Sequence, residues 1–564
     1  MMHGSSRPKS AKRIAQDGDY ALEVLSPVAD VDNSVTPPSP RLDTLNGKTI
    51  GLAWNRKPGG NIARARVQMR LEERFPTAKF VLFDDDIPFG PETIERIVEQ
   101  CDAVITNTAD CGACSSWLAH DSIQIERAGV PVVMITARAF VDDAGMSMVA
   151  YGMPDLPTAI FEGVEFTSTG DDEIIALVEP IIDDIVDKLT KENSTPMAPS
   201  HRPAAEGDWA ETEKFYGKDQ LSAFFEFNEK YLDRGWGDGF PLIPPTKEAV
   251  QYMLTGTKRD PQEVIVRMIP AFGLATVEKI AICCVMAGCQ PGHLPILIAA
   301  IQAMDDPKFW LRNVAVSTSP HSPMIVVNGP IVDELGINSN RCALGPGEPS
   351  RVNTVIGRAL RLIMMNLGHA YPGTLDMDTI GSPCKYSMCL AENEADSPWE
   401  SLAVERGYRK DQNVVTMFSV ESLMEVYDLK NHTAEGIMDS YAGTVNSLGS
   451  THSRQWMYPR RYAHNSILLS PTHARQIAAQ GWAREDVRRY LYEKARIPAG
   501  QLQGLLDRDR IMKSMKWVLD VDPATPLPIT GGYDWFHVIV VGGPVGKSSF
   551  TSGHGQCVSR LIED

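Results

Sequence analysis

Ala103-Val104-Ile105-Thr106-Asn107-Thr108-Ala109-Asp110-Cys111-Gly112-Ala113-Cys114 is the stretch on which the reading of this chain turns. Its start, 103–107, is a short apolar run of the kind buried in a parallel sheet. After Cys114, Leu118, Ser122, Ile125 and Gly129 recur at i, i+4, i+7 and i+11, which is one face of a helix. A strand, a short turn and a helix in that order make up a βα unit. Working outward, the unit repeats. Strands are expected over 49–54, 79–83 and 130–136. Helices are expected over 62–75, 91–100 and 114–128, with a last one over 171–189. Residues 46–190 are therefore expected to form a doubly wound parallel α/β domain.

On either side the pattern breaks. Residues 1–45 are polar and end in Thr36-Pro37-Pro38-Ser39-Pro40, so a disordered tail is expected. Residues 191–212 carry Pro196, Pro199 and Pro203 among small residues and read as a linker. Residues 213–564 are expected to form a larger α/β domain, with helices over 220–231, 278–286, 293–304 and within 471–492. Ile325-Val326-Val327-Asn328-Gly329-Pro330-Ile331 matches Ile539-Val540-Val541-Gly542-Gly543-Pro544-Val545, which suggests two related halves.

Bulk properties narrow the function. The 564 residues are 43% hydrophobic, enough for large cores, and carry a net charge of -18. Such a chain repels phosphate backbones, so nucleic acid is not an expected partner. No apolar run reaches the ~18 residues of a membrane span. Ten cysteines are too sparse for a disulfide scaffold, and reduced thiols in a cytoplasmic protein fit better.

The position of two of those cysteines carries the chemistry. Cys111 falls where a helix starts, and Cys114 lies three residues on. Orphan N–H groups and the positive end of the helix dipole stabilise an anion there. A Cys111 thiolate is such an anion, so its pKa is expected below a free thiol's ~8.5. Zinc needs four ligands, and Cys101 is the domain's only other cysteine, so a redox or nucleophilic pair is favoured over a metal site. A thioredoxin fold fits poorly, because another parallel strand follows the dithiol helix. His120 is about nine residues, and hence half a turn, away from Cys111, which leaves Asp110 and Ser115 as the nearer candidates for proton handling. Strand ends line the crevice of an open parallel sheet. The expected substrate-binding groups there are Asn55, Lys57 and Asn61 after the first strand, Asn107 and Thr108 beside the dithiol, and Arg138 after the fourth.

The run Asn107–Trp117, with Ala119-His120-Asp121 and Glu126-Arg127-Ala128-Gly129-Val130-Pro131, resembles the UGSC-like family. The family's selenoprotein members place selenocysteine, Gly, Ser and Cys where this chain has Cys111, Gly112, Ala113 and Cys114. More distantly it is similar to the selenoprotein B component of glycine, sarcosine and betaine reductases, in which a selenol attacks substrate carbon and a C–N bond is cleaved reductively. The resemblance covers about residues 46–190. It implies Cys111 as nucleophile and Cys114 as resolving thiol, with Ala113 departing from the family's Ser. The C-terminal region resembles uncharacterised bacterial proteins sharing Asp238-Gly239-Phe240-Pro241 and Asn328-Gly329-Pro330, which implies no activity.

In the C-terminal region, Cys283, Cys284, Cys289, Cys384 and Cys389 match no iron–sulfur or zinc spacing, so no metal or other cofactor is expected. Asn328, Asn338, Arg351 and His554 are candidate pocket residues, the arginine suiting an anionic ligand. Gly542–Ser548 imitates a P-loop, but Val541 stands where the first glycine belongs. The expected protein is thus a dithiol-dependent oxidoreductase acting on a small anionic substrate. An external reductant, of the thioredoxin-like kind, would restore it, and homo-oligomerisation is compatible with this reading. The alternatives are a cofactor-independent cysteine isomerase or racemase, and a non-catalytic dithiol sensor or metal-binding protein.

Overall fold

The computed structural model describes residues 19–31, 33–191, 211–446, 462–504 and 513–563. The N-terminal domain is a five-stranded parallel sheet ordered Lys79–Asp84, Thr49–Trp54, Ala103–Ala109, Val132–Ala137, Thr158–Phe161. The four expected strands are present, and Thr158–Phe161 adds a fifth that is too short to show periodicity. Ile50, Ala103, Ile105, Val133 and Ile135 face one helical layer, with Ala63, Val67, Leu71, Ile174 and Ile185. Val104, Val132 and Met134 face the other, with Ile97, Leu118 and Ile123. The helix expected over 171–189 is broken into Asp171–Val178 and Ile182–Thr190 by a turn at Glu179–Ile181, where Pro180 lacks the N–H needed to continue.

The tail is a correction. Tyr20–Leu25 is a strand, paired antiparallel with Thr212–Gly217, and Leu22 and Val24 are buried in the C-terminal core. Period-two burial of two side chains and a strand partner far along the chain outweigh the polar composition. Arg41 then pairs with Glu126 at 2.8 Å, both side chains buried, fastening this segment to the dithiol helix. Residues 1–18, and 192–210 of the expected linker, lie outside the described residues.

The C-terminal domain is built on a mixed, curled sheet. Its order is Cys389–Ala391, Ser322–Asn328, Val414–Tyr427, Lys547–Gly553, Asn465–Leu469, Phe536–Val540, with Val558–Leu561 on the first half of the long Val414–Tyr427 strand. Ser322–Asn328 lies parallel to one neighbour and antiparallel to the other, and Asn465–Leu469 does the same. The sheet therefore has two similar halves that meet where the long strand pairs with Lys547–Gly553. The sequence match is out of step with them: Ser322–Asn328 is an inner strand, whereas Phe536–Val540 is at the edge. Helices Val277–Ala287, Leu294–Asp305 and Arg351–Asn366 form the apolar layer against this sheet. Lys547 opens a strand rather than a helix, which removes the structural context of a P-loop. Among the described residues no helix is long and apolar enough to cross a membrane.

Candidate functional site

The order of the parallel sheet reverses between Thr49–Trp54 and Ala103–Ala109. Beyond the carboxyl ends of strands at such a switch point, side chains from both following loops converge on a crevice. Here the first loop supplies Lys57 and the second supplies Asp110, Cys111 and Cys114. Lys57 Nζ lies 2.8 Å from Asp110 Oδ1 and donates to the Asp110 carbonyl at 3.0 Å.

Cys111 is the N-cap of helix Gly112–Arg127, in extended conformation, and its Sγ accepts the Cys114 N–H at 3.2 Å. The two sulfurs are in disulfide contact, with Cα atoms 5.1 Å apart. Both residues are half-buried, neither sealed nor fully open. The sulfur thus takes the place of an N-cap oxygen, satisfying an otherwise orphan donor.

The proton-handling candidates are committed elsewhere. Asp110 is buried, and its Oδ2 accepts the Phe166 N–H at 2.9 Å. Burial raises its pKa, while Lys57 and the Phe166 N–H pull it back. Ser115 Oγ donates to the Cys111 carbonyl at 2.8 Å, a local back-bond one turn long. Both hold the dithiol turn in shape. His120 Nδ1 is bonded to Asp121 at 2.9 Å, and its ring packs on Trp117 and Tyr151, placing it at a domain seam. Burial raises the Asp121 pKa, and His120 offsets part of that.

The other strand-end residues are mostly structural. Asn55 Nδ2 donates to the Thr108 carbonyl and Asn107 Nδ2 to the Gly60 carbonyl, each at 2.8 Å. Asn61 Oδ1 and Thr108 Oγ1 are buried there with no hydrogen-bond partner among the described residues. Arg138 pairs with Glu162 at the surface, where it is 53% exposed, which commits its guanidinium to that carboxylate. The remaining candidates do not join this crevice. Asn328 is bonded to Glu392 and Glu394. Asn338 is bonded to Ser350 and the Arg341 carbonyl, and Arg351 is exposed at a helix start.

The cysteine-rich C-terminal helix is a core element. Cys283, Cys284 and Cys389 are fully buried, and burial pushes each thiol upward. Cys289, beside His293, is instead lowered to about 7 by bonds from Cys284 and His293 that outweigh its burial. Its Sγ contacts the Val355 carbonyl at 3.4 Å.

What the sequence reading missed is the cover over the dithiol. Helix Leu311–Val316 of the C-terminal domain lies across the start of the dithiol helix. A Cβ on Gly112 would sit 1.8 Å from the Val316 carbonyl oxygen, so only glycine allows this approach. Met377 packs beside it. Arg312, 2% exposed, donates to Ser116 Oγ at 2.7 Å and to the Pro270 carbonyl at 3.1 Å. Its guanidinium lies over Tyr151 at 4.5 Å and Phe272 at 5.1 Å. Trp117 Nε1 donates to Asn313. Asp143 is buried nearby. Burial holds its carboxyl well above the usual range, partly offset by Arg312 and Ser115. An arginine inside the apolar run Phe309–Val316 was the available signal.

A cavity of about 590 Å³ opens in the C-terminal domain, lined by Asp238, Arg361, Asp376, Asp378, Lys385 and Tyr386 among others. Arg361 and Lys385 already pair with Asp376 and Asp378 at 2.7–2.9 Å. The loop bearing these acids also bears Met377, so the cavity wall and the dithiol cover share one segment.

The UGSC family model matches residues 23–191, so the chain carries a UGSC family domain. The matched span includes the dithiol turn, the whole parallel sheet and the end of the Tyr20–Leu25 strand. No curated protein matches the chain.

Proposed function

We propose that this protein is a thiol-dependent oxidoreductase whose Cys111–Cys114 pair reduces a small, anionic substrate. The observation that carries the reading is the seating of Cys111. Its sulfur accepts a backbone N–H at a helix start, half-buried, at the switch point of a parallel sheet. That setting favours thiolate over thiol, and the positive end of the same helix favours an anionic ligand.

In the proposed cycle the Cys111 thiolate attacks an electrophilic substrate atom and expels its leaving group with the bonding pair. Cys114 then attacks Cys111 Sγ. A disulfide forms, and the substrate fragment leaves with the electron pair and takes up a proton. The dithiol loses two electrons and the substrate gains two. An external dithiol of the thioredoxin class returns them.

The test couples the purified protein to a thioredoxin system and screens small carboxylates for NADPH consumption. The expected result is consumption with at least one of them, lost in both Cys111→Ser and Cys114→Ser. Turnover that survives Cys111→Ser, or needs no reductant, contradicts the proposal. The second of these outcomes is what a racemase would give.

A further inference from the structure

We propose that His321, Glu421 and His554 form a binding site for one divalent transition-metal ion of the zinc or iron(II) class. This goes beyond the dithiol reading and does not depend on it. The three residues come from different elements and meet in the interior. His321 immediately precedes strand Ser322–Asn328, and His554 immediately follows strand Lys547–Gly553. Glu421 is the residue at which the register of the long strand slips, between Val420 and Ser422. Ser322, Val420 and Gly553 pair across these three strands, so all three groups lie within one residue of a single row. A bulge re-aims a side chain, and here it turns a carboxylate toward two imidazoles.

The geometry suits a cation. Glu421 Oε1 lies 3.4 Å from His321 Nδ1 and 3.9 Å from His554 Nδ1. One ligand atom from each residue lies within 4.8 Å of the other two. Ligand bonds of about 2.1 Å in a tetrahedral site put neighbouring donor atoms roughly 3.4 Å apart. The side chains are only 4–5% exposed. Two neutral imidazoles and one carboxylate are the donor set of open divalent sites that keep a position for water or substrate. The surroundings lock the rings. Trp310 stacks on His554 at 5.3 Å, and Asn313 reaches His554 Nε2 at 3.5 Å.

A second cluster, His464, His537 and Cys557, is tied together by direct bonds. His537 Nε2 and His464 Nδ1 are bonded to each other at 2.8 Å, which uses up the atoms a metal would need. Arg406 donates to the Cys557 sulfur at 3.2 Å, putting a cation where the ion would sit. In the first cluster the carboxylate stands between the two imidazoles, 3.4 Å from one and 3.9 Å from the other. Its position is also suggestive, because the segment carrying Trp310, Asn313 and His321 covers the dithiol helix through Arg312 and Val316.

The test uses the full-length Cys111→Ser/Cys114→Ser protein, so that the dithiol cannot bind the probe and the fate of the redox proposal has no bearing on the result. Chelated, re-purified protein is titrated with cobalt(II) and with zinc(II). The expected outcome is one equivalent bound, with cobalt d–d absorption and no thiolate charge-transfer band. Affinity should fall at least 100-fold in Glu421→Gln and in His554→Ala, and stay unchanged in His464→Gln. Zinc should also raise the Tm of the parent and not that of Glu421→Gln. Circular dichroism of each variant separates unfolding from lost ligation. Substoichiometric binding in the parent overturns the site, as does a sulfur-type spectrum or an affinity indifferent to Glu421→Gln in a folded variant. In each case the cluster is a hydrogen-bonded carboxylate–imidazole pair.

Discussion

Cys111 and Cys114 lie at a helix start beneath a polar domain seam, whereas Cys283 and Cys284 lie one turn inside an apolar helix. The residue type is the same and the surroundings are opposite. The first pair has a backbone N–H aimed at sulfur and a lysine two bonds of the network away, through Asp110. The second pair is wholly buried, and burial above all pushes its thiols out of the reactive range, with Cys289 adding to the rise at Cys284. Cysteine chemistry in this chain is therefore a matter of where the helix begins and what covers it, not of how many sulfurs are near one another.

Removing the seam's buried cation should sharpen the contrast most. Arg312→Ala removes the guanidinium that donates to Ser116 Oγ and the Pro270 carbonyl, and leaving buried partners unsatisfied costs about 1–3 kcal/mol each. Urea unfolding should show that loss. Alkylation below the transition should speed up at Cys114 while Cys283 and Cys284 stay protected. Equal exposure of both sets would mean that the seam does not govern access.

Gly112→Ala is expected to cost about 1–3 kcal/mol, in the range for overpacking, because the new methyl group meets the Val316 carbonyl. The dithiol should become more reducible by small thiols as the cover lifts. An unchanged unfolding midpoint would show that the two domains do not press together there.

Asp143→Asn tests the buried carboxyl through pH. The folded-state pKa is raised, so the native protein holds a proton that the unfolded chain has released above about 3.9. The contribution of this group to stability therefore falls as pH rises from that value to the raised one. The variant should gain on the parent as pH rises above about 4, read from paired denaturation curves. A constant difference would contradict the shift. The smallest effect belongs to Arg138→Ala. An exposed pair with Glu162 contributes little, so stability, and turnover once a substrate is found, should both stay at the parent level.

The sequence disclosed as much of this as local patterns can carry. The four parallel strands and the helix behind the dithiol follow from apolar periodicity, and Cys111 as a helix cap follows from them. The pairing of Tyr20–Leu25 with Thr212–Gly217 was hidden, because its partner is nearly 200 residues away. The same holds for the C-terminal sheet, where the long central strand shows no simple alternation, its first half being buried on both faces. At the site, Lys57 and Asp110 were legible as strand-end residues, but their bond was not. Arg138 was legible as a strand-end cation, but nothing local announces that Glu162 stands across from it. Nothing local marks Gly112 as required, and only the Val316 carbonyl of the neighbouring domain does so.

The most direct test measures alkylation rates of the pre-reduced protein from pH 5 to 10, with each cysteine resolved by peptide mass spectrometry. The account predicts that Cys111 reacts first, with a midpoint below that of a free thiol at about 8.5, while Cys283, Cys284 and Cys389 stay unlabelled until the protein unfolds. A Cys111 midpoint at or above the free-thiol value, or labelling no faster than at the buried cysteines, would contradict it.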